Sequence, residues 1–129
     1  GKTPLSSMTP TFILAGNSLD APLRLVVGSP GGSRIPSSVA QVVLHVLDDH
    51  VDVRTAVHLG RIHHQHLPDA VQIERYSVGT PAESWITHAG YTVKQEHPWC
   101  NVMVIAVDPD TGLRTAAADP RGVGAAMAQ

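Results

Sequence analysis

The chain has 129 residues, 43% of them apolar and 16% charged, with a formal net charge of −2. That length and apolar content suit one domain with its own core and argue against disorder. Charges of mixed sign exclude an electrostatic case for nucleic acid or an anionic membrane; no apolar run approaches the ~20 residues of a membrane span; and one cysteine, Cys100, excludes an internal disulfide and a cysteine-built zinc site.

The chain opens on Gly-Lys-Thr-Pro-Leu-Ser-Ser-Met-Thr-Pro, neither a signal peptide nor a usual initiator, which leads us to expect a segment of a longer protein. Thr11 to Ala15 is a β-type run. Gly16-Asn17-Ser18 supplies turn residues and Leu23 to Val27 is the next run, so a hairpin with an irregular loop is expected. The stretch Gly28-Ser29-Pro30-Gly31-Gly32-Ser33-Arg34-Ile35 then predicts a glycine-rich elbow into a helix, with Ser33 as N-cap. Ile35, Val39, Val42, Val43, Val46 and Leu47 follow the rhythm of one buried helix face, ending near His50. Val53 to Leu59 predicts a shorter helix stopped by Gly60. Arg61 to His66 reads as extended, Leu67-Pro68-Asp69 as a turn, and Val71, Ile73 and Arg75 as one face of a strand. Pro81 to His88 predicts a helix with Thr80 as cap, Pro81 in its first position and Gly90 at its end. Tyr91 to Lys94 reads as a short strand and Asn101 to Val107 as a strongly apolar one. Asp-Pro-Asp-Thr-Gly is a hairpin turn, Leu113 to Ala118 pairs back, and the tail from Arg121 is expected to be loose. The order β-β-α-α-β-α-β-β-β, with strands in hairpins and helices grouped, favours an α+β sandwich over a doubly wound parallel sheet.

Three stretches could carry chemistry. The elbow can present bare backbone N–H groups beside a helix N-terminus, where an anion or an oxyanion is stabilised. Equally, its glycines can simply supply the positive φ of a tight turn. It is neither a phosphate-binding P-loop, because no Gly-Lys-Ser/Thr follows, nor a Gly-x-Ser-x-Gly elbow. Ser6 and Ser7, adjacent in a loop before a strand, could hydrogen-bond a carboxylate, or be ordinary solvated loop serines. In Arg61-Ile62-His63-His64-Gln65-His66, a strand would put His64 and His66 on one face. No cysteine or helical partner completes a metal site, so a polar strand making side-chain hydrogen bonds is the better reading. His45, His50 and His58 fall at surface or boundary positions.

Taken together, Pro-Leu-Ser-Ser-Met-Thr-Pro-Thr and Gly-Ser-Pro-Gly-Gly-Ser-Arg-Ile resemble the small subunit of the γ-glutamyltransferases (γ-glutamyl transpeptidases). Gly60-Arg-Ile-His-His-Gln-His-Leu-Pro-Asp69 is similar to that family's Arg-x-His-His-Gln segment, and Ala117-Ala-Asp-Pro-Arg121 to its closing Asp-Pro-Arg. The resemblance spans nearly the whole chain. It implies residues 1–129 as the C-terminal portion of a small subunit, in the αββα sandwich of an N-terminal-nucleophile hydrolase. It implies a precursor that cleaves itself ahead of a threonine, which then attacks a γ-glutamyl amide such as glutathione, with its own α-amine as base and water or an amino acid as acceptor. Ser6 and Ser7 would hold the glutamyl α-carboxylate, and the Gly31 and Gly32 N–H groups would form the oxyanion hole. No cofactor or metal is implied, and a periplasmic or extracellular location is.

The same resemblance places the threonine nucleophile, and the arginine and acidic residue that grip the glutamate α-groups, upstream of these residues; Thr3 stands at the wrong place for that role. Trp99-Cys100-Asn101 departs from the Gly-Ser-type stretch of the family. A large subunit or upstream segment is therefore the expected partner. Its strands should complete the sheets and cover apolar surface left open by runs such as Val102 to Val107. Alternatives are a related threonine-dependent acylase, a non-catalytic domain without the nucleophile, and a histidine-rich metal-binding module.

Overall fold

The structure is a computed structural model and describes residues 1–3, 8–75 and 79–127. Its elements are β1 (Thr11–Leu14), β2 (Leu23–Gly28), a 3-10 turn (Gly32–Arg34), α1 (Ile35–Leu47), α2 (Val53–His58), β3 (Ile62–His63), β4 (Val71–Glu74), α3 (Thr80–His88), β5 (Val93–Glu96), β6 (Met103–Val107) and β7 (Arg114–Ala117). The α+β class holds.

One sheet has the order β1-β2-β6-β7 and is antiparallel throughout. The expected hairpin of β1 and β2 forms, with a register irregularity at Ile13/Leu14. The Asp-Pro-Asp-Thr-Gly turn also forms, with Asp108 Oδ1 accepting the N–H groups of Asp110 (3.0 Å) and Thr111 (2.8 Å). Strand alternation sends Leu25, Val27, Val104 and Ala117 to one face, where Val42 of α1 and Val53, Ala56 and Val57 of α2 close the core over them. The opposite face carries Phe12, Val26, Ile105 and Ala116 side by side across the strands. No helix covers that row among the described residues, and Phe12 is 62% and Ile105 42% exposed.

The second sheet, β3-β4-β5, departs from the hairpin expectation. β3 pairs antiparallel with β4, but β4 and β5 run parallel, and α3 lies between them in sequence. Parallel strands need such a crossover. Ile86 of α3 packs on Val71 and Ile73, with Val93 beside them. All residues of β4 are buried, Gln72 and Glu74 included, so the expected one-sided pattern through Arg75 gives way to a strand enclosed on both faces.

Local signals explain most boundaries. Asp52 caps α2, its carboxylate accepting from Arg54 N and Thr55 N. Its pKa is lowered, most by the hydrogen bond of the Thr55 side chain and then by that of the Thr55 N–H. Pro36 and Pro81 sit in the first turns of α1 and α3. Neither predicted cap holds. The 3-10 turn displaces the start of α1, so Arg34 is its cap residue and the Ser33 hydroxyl serves elsewhere. α3 begins at Thr80 itself, with Gly79 in the cap position. The strand expected over Arg61 to His66 shortens to Ile62–His63, and His66, at φ 72, is not extended. β5 sits two residues later than predicted. Among the described residues, no helix is long and apolar enough to cross a membrane.

Candidate functional site

The elbow leaves the end of β2 and enters α1 through the 3-10 turn. Ser29 is 4% exposed, whereas Gly31 and Gly32 lie on the surface. Gly31 has φ 141 and Gly32 φ 62, both in the region that L side chains rarely adopt. A Cβ on Gly31 would fall on the Cys100 sulfur, whereas one on Gly32 would meet, among the described residues and beyond its chain neighbours, nothing within 4 Å. The Arg34 N–H donates to the Gly31 carbonyl at 3.3 Å. Among the described residues, the Gly31 and Gly32 N–H groups find no backbone acceptor. In exposed residues next to the positive end of a 13-residue helix, they are donors in a setting suited to an anion or a developing oxyanion.

The Arg-x-His-His-Gln segment supports this elbow. The Ser33 hydroxyl donates to Gln65 Oε1 at 2.7 Å, and the same oxygen lies 3.0 Å from His63 Nε2. Gln65 spends its amide nitrogen on the Leu67 carbonyl, so its oxygen faces the ring and His63 donates through Nε2. His63 Nδ1 meets the Ser37 hydroxyl at 2.7 Å on the first turn of α1. Arg34 sends Nε (3.0 Å) and Nη2 (2.5 Å) to Gln72 Oε1 of β4, and its guanidinium lies 4.9 Å from the Trp99 ring centroid. The side-chain hydrogen bonding expected of this stretch therefore holds for His63 and Gln65, although Gln65 lies beyond the strand. His64 and His66 do not share a strand face: His64 instead reaches Asp69 (3.1 Å) and the Tyr91 ring, and the backbone at His66 takes φ 72. His50 and His58 are exposed and His45 is partly so, pairing with Asp49 at 2.8 Å.

Behind the elbow lies a buried charge network that sequence reasoning did not find. Arg61, 1% exposed, donates through Nη2 to Asp119 Oδ2 (2.5 Å) and Val57 O (3.3 Å), and through Nη1 to Trp99 O (3.0 Å). Arg121 grips Glu74 with two parallel bonds, Nε to Oε1 (2.8 Å) and Nη2 to Oε2 (2.5 Å), and reaches Asp119 Oδ1 with Nη1 (3.1 Å). Glu74 also accepts the N–H groups of Arg61 and Trp99, and Asp119 those of Val102 and Arg121. The tail expected to be loose thus begins with an anchored residue, since the Arg121 side chain is only 7% exposed. The signals were the charges inside Gly60-Arg61 and Val-Gln-Ile-Glu74 and the Asp-Pro-Arg motif; only long-range geometry pairs them.

Burial is the largest influence on Asp119 and disfavours its charge. The Arg121 N–H, the Arg61 guanidinium and the Val102 N–H together outweigh it, leaving the carboxyl below its ordinary value. Burial likewise opposes the Arg121 charge, yet Glu74 and Asp119 raise its pKa. A carboxyl depressed in the folded state stabilises the fold above its unfolded pKa of about 3.9 and loses that contribution as pH falls through the folded value. We therefore expect the melting temperature to drop steeply below about pH 4, and Asp119→Asn to flatten that drop. Melting curves at pH 7, 4 and 3 check it; a parallel fall in both proteins would remove Asp119 as the cause.

Ser6 and Ser7 lie outside the described residues. Met8, Thr9 and Pro10, which follow them, line a cleft of about 320 Å³ with Gly28, Ser29, Pro30 and Asn101. The segment after the serines thus runs along the elbow. Trp99-Cys100-Asn101 also meets the elbow, the Cys100 sulfur at Gly31 and the Asn101 N–H at Ser29 Oγ.

Paired layers of helix and sheet, with an open apolar sheet face and exposed donors on a glycine elbow, belong to the N-terminal-nucleophile hydrolase fold. The structure is similar to that of the T380A mutant of Helicobacter pylori gamma-glutamyltranspeptidase, at TM-score 0.84 and 37% identity, over 94% of this chain and 64% of that one. The Bacillus anthracis transpeptidase CapD shares the fold at TM-score 0.76 and 19% identity, over 100% of this chain and 75% of that one. Glutathione hydrolase proenzymes of Pseudomonas aeruginosa and Escherichia coli are each 37% identical, over 98% and 95% of this chain and 22% and 20% of their own lengths. The family model described as gamma-glutamyltranspeptidase matches residues 1–129. The chain belongs to the gamma-glutamyltranspeptidase family. It spans about a fifth of the length of these two curated relatives.

Proposed function

We propose that residues 1–129 are the C-terminal portion of a small subunit and work with an upstream threonine-bearing segment as a γ-glutamyltransferase. The observation that carries the reading is the exposed pair of Gly31 and Gly32 N–H groups at the head of α1. In the assembled protein, the threonine hydroxyl attacks the γ-carbonyl carbon of a substrate such as glutathione and passes its proton to the threonine's own α-amine. The carbonyl oxygen gains negative charge and takes the Gly31 and Gly32 N–H groups as donors. The C–N bond breaks, the amine leaves with the proton, and a γ-glutamyl ester remains on the threonine. Water or an amino-acid amine then attacks the same carbon and gives up a proton, the ester C–O bond breaks, and the threonine oxygen regains a proton as the product leaves. Ser6 and Ser7 hold the glutamyl α-carboxylate.

The open face of Phe12, Val26, Ile105 and Ala116 supports the need for a partner segment, because apolar sheet faces of this kind are covered in a finished sandwich. A periplasmic or extracellular location accompanies the same reading. A chromogenic γ-glutamyl anilide tests it. The assembled protein is expected to release the anilide, and the isolated 129-residue chain to release none. Turnover by the purified chain alone would show that the nucleophile lies within it. An inert assembled protein would overturn the assignment.

A further inference from the structure

The donors of an oxyanion hole act only if they are held before the charge develops, and two contacts hold Gly31. The Ser29 hydroxyl donates to the Pro30 carbonyl at 2.7 Å. That carbonyl belongs to the planar peptide unit whose other end is the Gly31 N–H, so fixing the oxygen fixes the direction of the N–H. Ser29 Oγ also accepts the Asn101 N–H at 3.2 Å, and with 4% exposure the side chain has little freedom to move. Cys100 supplies the second contact. Its sulfur occupies the place a Gly31 side chain would take, and its backbone has φ 62. Such a conformation persists in a residue other than glycine where its surroundings over-determine it. Here those surroundings are the Trp99 N–H and carbonyl, bound by Glu74 and Arg61, and the Val102 N–H, bound by Asp119.

We propose that Ser29 and Cys100 are positioning residues that preset the Gly31 N–H, the charge network fixing the loop from which they act. This rests on the γ-glutamyltransferase reading above. Ser29 orients the peptide plane, and Cys100 stops the elbow from sinking toward Asn101. Neither touches the reacting atoms.

The test uses the assembled protein and the γ-glutamyl anilide, with kcat and KM determined separately and kcat corrected for the folded fraction. Ser29→Ala is expected to lower kcat about tenfold and leave KM within about twofold, since misplacement of a donor acts on the transition state. Ser29→Thr, which keeps the hydroxyl, should recover most of that loss. Cys100→Gly separates positioning from stability. Glycine accepts φ 62 freely, so the melting temperature should hold while kcat falls several-fold, on the order of a misplaced donor. Retention of kcat in both Ser29→Ala and Cys100→Gly would overturn the positioning role while leaving the enzyme assignment standing. A loss that appears only as a smaller folded fraction would overturn it too. Failure of the parent protein to turn over the anilide would remove the assignment and the proposal together.

Discussion

Asp119→Ala should destabilise the assembled protein by about 3–5 kcal/mol, the range for removing one partner of a buried ion pair. Each oxygen of Asp119 is engaged, Oδ2 by Arg61 Nη2 and Val102 N, Oδ1 by Arg121 N and Nη1. Alanine leaves the Arg61 guanidinium, whose Nε has no partner among the described residues, buried without its carboxylate. The net worth of such a network against a well-packed apolar core is small, because desolvation offsets most of the attraction. The cost of breaking it is large for the same reason: the desolvation remains and the attraction is gone. Denaturant unfolding of Asp119→Ala, Arg61→Met and the double variant forms a cycle. The double variant should lose much less than the sum of the single changes, since it strands no charge between them. A single-variant loss below about 1 kcal/mol would mean that the site opens to water and the network is not a buried unit.

How much of this was legible in the chain depends on the range over which each signal acts. The hairpin of β1 and β2, the apolar face of α1, the Asp108 turn and the glycine elbow are local, and periodicity or turn chemistry reveals them. The two cap predictions failed because the 3-10 turn, a local competitor to the α-helix, shifted α1, and because α3 starts one residue earlier than Pro81 implied. The parallel pairing of β4 and β5 is non-local: a short apolar run carries no mark of its partner's direction. Least legible of all was the role of Arg61, Glu74 and Arg121. Charged residues beside loops read as solvated, and only the fold brings residues 61, 74, 119 and 121 into contact. Family motifs marked Arg61 and Arg121 as notable without saying what they do. The structure supplies the reason: they tie α2, β4 and the Trp99–Asn101 loop behind the elbow.

The elbow glycines provide the other large effect, and they are not equivalent. Gly31→Ala should lower kcat by about 10²–10³, the cost of losing one oxyanion donor. Its new Cβ would collide with the Cys100 sulfur, and φ 141 is closed to alanine, so the Pro30–Gly31 peptide must rotate and carry the N–H away. Stability should fall as well, which makes this variant alone an ambiguous test. Gly32→Ala resolves the ambiguity. At Gly32 a Cβ meets no atom of the described residues within 4 Å beyond its chain neighbours, and φ 62 is a conformation alanine can adopt at about 1–2 kcal/mol. The fold therefore tolerates it, while on the proposed reading the added methyl group crowds the approach of the reacting carbonyl to the two donors. We expect kcat to fall at least tenfold, an effect on the transition state of the kind a displaced donor produces, with the protein still cooperatively folded. Thermal melting and anilide kinetics on the same preparations of both variants separate the two roles. If Gly32→Ala keeps full kcat, or if activity in both variants follows the folded fraction alone, the glycines serve only to turn the chain from β2 into α1.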